Sequence, residues 1–210
     1  MTISRNISVM AQGASTAGIL AGGYGGLGTS IAPTTAGNTI FTTDGSTWSS
    51  TQKIVRGTSV ATTSGTAVDF TSIPSWVKRI TLMFTGVSLS GTALPLIQIG
   101  AGSITNTGYV GSGANSSAGA TAFFNTVNYT TGFGIGQGSS ASVAISGAVY
   151  LFNQTGNSWI ASGTLASTNE AVVRFTAGSI TLSGTLDRVR ITTSNGTDTF
   201  DAGSVNIMYE

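Results

Sequence analysis

The chain has 210 residues, only 7% of them charged, with eight basic against seven acidic for a formal net charge of +1, and it contains neither histidine nor cysteine. Without these two residue types there is no Ser-His-Asp or Cys-His catalysis, no ordinary zinc, haem or iron–sulfur site and no disulfide. The near-neutral balance argues against nucleic acid, whose binding needs a dense cationic face. Surface polarity must come from serine, threonine, asparagine and glycine, which suits a protein packed against copies of itself. Apolar runs are broken within a few positions by Arg, Lys, Gly or Ser. Neither a membrane span of about 20 apolar residues nor a signal peptide is therefore expected.

Taken in chain order, residues 1–51 differ from the rest. Ile3, Ile7, Met10 and Ala14 recur at helical spacings of three and four, and Ser4 is placed to cap such a helix. Ala21 to Gly28 is too rich in glycine for a regular element. From Thr29 to Ser50 small polar residues dominate, with Ile40, Phe41 and Trp48 as isolated anchors and Asp44-Gly45 as a turn signal. So few apolar side chains cannot offset the entropy of ordering the segment alone. The expectation is an extended, partly helical N-terminal arm that is ordered against a partner.

From Gln52 the pattern changes to period two. Ile80, Leu82 and Phe84 alternate with Arg79, Thr81 and Met83; Leu94, Leu96 and Gln98 face one way while Ile97 and Ile99 face the other. Ser142–Phe152, Ser158–Leu165, Ala171–Ala177, Leu186–Thr192 and Val205–Glu210 continue the pattern. In Leu186 to Ile191 the Leu, Val and Ile point inward and the charges outward. Asn195-Gly196 fits a tight hairpin turn or a short loop. About nine strand-like segments at such spacings predict an all-β fold, an antiparallel β-sandwich of jelly-roll-like architecture, over residues 52–210. The glycine-rich middle, Gly100 to Gly138, reads as exposed loops. Its Tyr109 and Tyr129 are candidates for stacking on sugar rings.

Several motifs have simpler readings. Gly23-Tyr24-Gly25-Gly26-Leu27-Gly28 satisfies G-x-G-x-x-G, but no strand precedes it and no helix opens after it, so it reads as a linker. Ser50-Thr51-Gln52-Lys53 and Ser75-Trp76-Val77-Lys78 match S-x-x-K, yet both sit at strand entrances. There an offset of three puts serine and lysine on opposite faces. Asn195, Asp198 and Asp201 read as turn formers rather than a calcium loop. Trp76 and Trp159 read as corner or core residues. Seven acids offer no convincing catalytic pair, so neither an enzyme nor a metal or other cofactor is expected.

Ile31 to Ile40, followed by Thr43-Asp44-Gly45-Ser46-Thr47-Trp48, resembles the connector of bacteriophage tail-fibre proteins, and Gly22-Gly23-Tyr24-Gly25 is similar to the element that often precedes it. Phe70 to Ile80 looks like the start of a β-domain common in phage fibre and appendage proteins, and Gly184–Thr192 with Asp198–Ile207 resembles its end. The resemblance spans most of residues 22–210 and implies a structural protein of the virion, assembled in the bacterial host cytoplasm. It implies a homotrimer docked on other virion proteins by its N-terminal part; the residue pattern makes residues 1–51 that arm, with Ile3, Ile7 and Met10 as the docking side chains. The β-domain then projects outward, with Tyr109 and Tyr129 as candidate contacts to host-surface glycan. A capsid decoration or head-fibre protein, and a lectin-like receptor-binding module, are the alternatives.

Overall fold

The computed structural model describes residues 38–42, 48–52, 54–117, 123–136 and 140–210. Among the described residues there are strands and no helix, and every ladder is antiparallel. The expected helix with Ile3, Ile7 and Met10, and the glycine run that follows, lie outside the described residues.

The chain divides into two units between Lys53 and Ile54. In the first, β1 (Asn38–Thr42) pairs with β2 (Trp48–Gln52), Asn38 opposite Gln52 and Thr42 opposite Trp48. Asp44-Gly45, the turn signal, lies outside the described residues. A two-stranded ribbon by itself is marginal in water.

The second unit holds β3 (Val55–Arg56), β4 (Val60–Ala61), β5 (Ala67–Thr71), β6 (Arg79–Leu89), β7 (Pro95–Ala101), β8 (Ser103–Ile104) and β9 (Val110–Ser117). These are followed by β10 (Phe123–Tyr129), β11 (Phe133–Gly134), β12 (Ile145–Thr155), β13 (Ser158–Ser167), β14 (Val172–Thr181), β15 (Arg188–Thr193) and β16 (Phe200–Tyr209). The large sheet has the order β10-β9-β14-β13-β12-β6-β16-β3, with β4 also against β16; the small sheet runs β11-β7-β15-β5, with β8 against β7. The chain passes from sheet to sheet: β4 large, β5 small, β6 large, β7 small, and at the end β15 small, β16 large. Each of the last two strands lies beside its early counterpart, β15 against β5 and β16 against β6.

Period-two alternation explains the sandwich. Ile80, Leu82 and Phe84 of β6, Val149 and Leu151 of β12, Trp159 and Leu165 of β13, Val189 and Ile191 of β15, and Val205 and Ile207 of β16 meet in one buried cluster. Fully burying each such side chain contributes roughly 1.5–3 kcal/mol. In the Leu186–Ile191 stretch Leu186, Val189 and Ile191 are buried, as the sequence predicts.

One expectation about the β-domain needs correction. The Gly100–Gly138 segment is not a set of loops, because it supplies β8, β9, β10 and β11. Its glycines conceal the strands for a packing reason. A Cβ on Gly113 of β9 would sit 2.6 Å from the Gly136 carbonyl oxygen and 2.8 Å from that of Gly134, so only glycine lets the small sheet approach so closely. The alternation read in Leu94–Ile99 holds, and β7 is buried on both faces. Ile97 and Ile99 face the core, and the segment after β10 covers the other side, with Gln98 Nε2 donating to the Thr131 carbonyl (2.9 Å) and Gly132 packed on Leu96.

Candidate functional site

The tyrosines singled out by the sequence lie together, but differently from the expectation. Tyr109 is not an exposed loop aromatic: it is 2% exposed. Its ring meets Phe133 edge to face at 4.9 Å. Its hydroxyl accepts from the Ile99 N–H (2.8 Å) and has the Ile99 and Thr105 carbonyls at 3.2 and 3.0 Å as acceptors. The phenol thus stitches β7 where a neighbouring strand would otherwise bond, and burial pushes its pKa up to about 12. Tyr129, in β10, is half-buried. Its hydroxyl donates to the Gly136 carbonyl (2.8 Å), and its ring lies where a Cβ on Gly134 would come within 2.4 Å. Its pKa is also raised to about 12, chiefly by burial, with the Arg174 charge opposing.

Both tyrosines line one open cleft of about 470 Å³, together with Val110, Ser112, Asn128 and Ala177. Ser112 Oγ donates to Asn128 Oδ1 (3.0 Å), and Val110 is 74% exposed. Among the described residues no charged side chain lines the cleft. A charged ligand would find no counter-ion there, whereas a neutral polyol would find an apolar wall beside an amide and a hydroxyl.

The remaining candidates have structural duties. Trp159 is buried in the core, and Trp76 packs at a tilt on Tyr209 with ring centres 6.0 Å apart. Asn195 Oδ1 accepts from the Thr197 and Asp198 N–H groups (3.1 and 3.0 Å) in the short loop from β15 to β16, and Asp198 Oδ2 accepts from the Ala93 N–H (2.9 Å). A side-chain hydrogen bond with Asn195, and then the Ala93 N–H, hold the Asp198 carboxyl below the usual range. Among the described residues no cluster of three acids could hold a metal ion. Lys78 of the second S-x-x-K match lies 3.5 Å from Asn153 Oδ1.

Two features escaped the sequence reading. Arg174 of β14 is 1% exposed on the inner face of the large sheet. Its Nε donates to Ser167 Oγ (2.9 Å), its Nη1 to Asn115 Oδ1 (3.3 Å), and its Nη2 lies 3.5 Å from Glu170. Burial lowers its pKa while Glu170 raises it. The signal was present in the alternation: Val173 and Phe175 point outward on β14, so Arg174 must point in.

The second is the outer face of the large sheet. Tyr150, Ile160, Val173 and Phe175 are exposed there, and Tyr150 stacks with Phe152 at 6.3 Å. The ladders align Met208, Thr81, Tyr150, Ser162 and Ala177 in one row, and Asn206, Met83, Ala148, Thr164 and Phe175 in the next. On the strands of this sheet, charge outside the core occurs only at ends or edge: Arg56 on β3, Arg79 at the start of β6 and Asp201 near the start of β16. The small sheet is different. Arg190 makes a two-pronged pair with Asp69, both contacts at 2.7 Å, and Arg188 pairs with Asp187 at 2.7 and 3.0 Å.

No family model matches the chain, and no curated protein does. Among solved structures it is similar to the marine PL-14 alginate lyase from Aplysia kurodai, at 9% identity and a TM-score of 0.26, over 82% of this chain and 85% of that one. At that level the likeness carries nothing about activity.

Proposed function

We propose that the chain is a structural virion protein of a bacteriophage: a short trimeric tail fibre or appendage. In this reading an N-terminal arm, residues 1–51, docks on other virion proteins through Ile3, Ile7 and Met10, and the β-sandwich projects outward. The observation that carries the reading is the strand wiring. The alternating strands β4, β5, β6 and β7, with β11, β12, β15 and β16, fall into two four-stranded layers, β4-β16-β6-β12 and β5-β15-β7-β11. That is the jelly-roll order, an architecture of viral capsid and lectin domains. β9, β10, β13 and β14 are then insertions that widen the large layer, and β8 is a short addition to the small one. Low charge and the resemblance of residues 22–210 to phage fibre connectors and β-domains add to it.

Antibody labelling of intact particles tests the reading. Label on the tail supports a tail appendage, label on the head turns it into a capsid decoration or head fibre, and the chain's absence from purified particles overturns it. A chain lacking residues 1–40 should keep its β-domain but no longer join particles; normal incorporation would remove the docking role. The uncharged cleft at Tyr109 and Tyr129 favours one second reading, a lectin-like contact with host glycan. It predicts that host polysaccharide binds the chain and that Asn128→Ala weakens binding. Binding that is indifferent to this change would contradict it.

A further inference from the structure

We propose that the outer face of β14, β13, β12, β6 and β16 is the surface by which copies of this chain associate. The inference adds the shared face to the virion reading and rests on that reading only for the number of copies. Three observations point to a second copy as the occupant. First, the area suffices. At about 4.8 Å between strands and about 3.3 Å per residue, five strands of roughly ten residues give a footprint of roughly 800 Å², matching the roughly 800 Å² that each partner contributes to a standard interface.

Second, the composition is that of an interface centre. Tyr150, Phe152, Ile160, Val173, Phe175, Met83 and Met208 project among serine, threonine and alanine, with charge kept to the ends and edge. Aromatic residues and methionine are enriched at interface cores, and charged residues are depleted. Third, charge on this face is confined to its ends and edge, where Arg79 pairs with Glu210, so its centre neither attracts an acidic or basic partner nor repels its own copy. The small sheet, in contrast, carries the ion pairs of Asp69 with Arg190 and of Asp187 with Arg188. Three such faces turned toward one axis would bury one another.

The test measures the mass of the 210-residue chain in solution by light scattering, for the unmodified protein, for the double variant Tyr150→Lys with Phe175→Lys, and for Thr71→Lys on the small sheet. Both altered positions of the double variant are exposed in the single chain, so its β-sheet circular dichroism should be retained. Association should weaken by roughly 100-fold or more, because each copy would bury unpaired charge, while Thr71→Lys should leave the mass unchanged. An assembly that persists in the double variant overturns the face and leaves the virion reading standing.

Should the lysine variant fail to fold, the absence of cysteine gives a second measurement. Ser162→Cys places a lone thiol in the middle of the face, and Thr71→Cys places one on the opposite sheet. The maleimide reaction should be several-fold slower at 162 than at 71, and dilution should abolish the difference. Equal rates at all concentrations overturn the inference, as does protection at 162 that appears only when host polysaccharide is added. A protected thiol in a chain absent from particles would sink the virion reading and leave the face.

Discussion

The two sheets obey the same alternation and treat charge in opposite ways. The small sheet keeps its inward positions apolar, with Val189 and Ile191, and displays Arg188 and Arg190 outside against Asp187 and Asp69. The large sheet turns Arg174, the charge in the middle of its strands, inward, and leaves its outside to Tyr150, Ile160 and Phe175 among hydroxyls. Period two sets only which residues share a face. What occupies the outward set decides whether that face is made for water or for another surface.

The sharpest way to break this contrast is to remove the inward charge. Arg174→Ala opens a void and takes from Ser167, Asn115 and Glu170 their shared partner, so unfolding in urea should show a loss of about 2–5 kcal/mol. A loss below about 1 kcal/mol would mean that the buried guanidinium does not organise the inner face. Next comes Tyr109→Phe, which keeps the ring on Phe133 but leaves the buried Ile99 N–H without its acceptor, at about 1–3 kcal/mol.

The same phenol has a pH signature. Its folded pKa, about 12, lies above the ordinary tyrosine value of 10.0. The stability it contributes is therefore fully present below pH 10 and is lost as pH rises toward 12. Spectrophotometric titration should show Tyr109 and Tyr129 ionising late, together with alkaline unfolding. Gly134→Ala, which drives a methyl group into the Tyr129 ring, should cost about 1–3 kcal/mol by overpacking.

The smallest effect belongs to the displayed charges. Arg190 bonding holds Asp69 below the usual carboxylate range. Its contribution is thus present above the unfolded value near 4 and lost as pH falls through the lower folded value. The pair is more than a third exposed on both sides, so Asp69→Asn should cost only about 0.5–1 kcal/mol at neutral pH, and nothing in strong acid. Comparing unfolding at the two pH values checks the sign.

Legibility in the sequence followed the same division. Where bulky and polar side chains alternate, as in β6, β12 and β15, the strands and their inward faces could be read directly. In β9, Val-Gly-Ser-Gly-Ala-Asn-Ser-Ser, the inward positions hold Gly111, Gly113 and Asn115, and the close approach of β11 forbids anything larger at 113. The hydrophobic period vanished because packing was too tight for hydrophobes. Tyr109 was misread for a related reason: its polar atom finds partners on a strand edge ten residues away, which composition cannot reveal. The cleft's two tyrosines were named in advance, but its Ser112, Asn128 and Val110 come from strands hidden in the glycine-rich segment. The bare outer face was present in the outward sets of β12, β13 and β14. It becomes one surface only when ladders between distant segments set them side by side.

The most direct measurement of the account is the solution mass of the unmodified chain over a dilution series. An assembling appendage whose shared face is uncharged at its centre predicts about three times 21.1 kDa at high concentration, falling on dilution. A particle of 21.1 kDa at every concentration, with Ser162→Cys as reactive as Thr71→Cys, would contradict it.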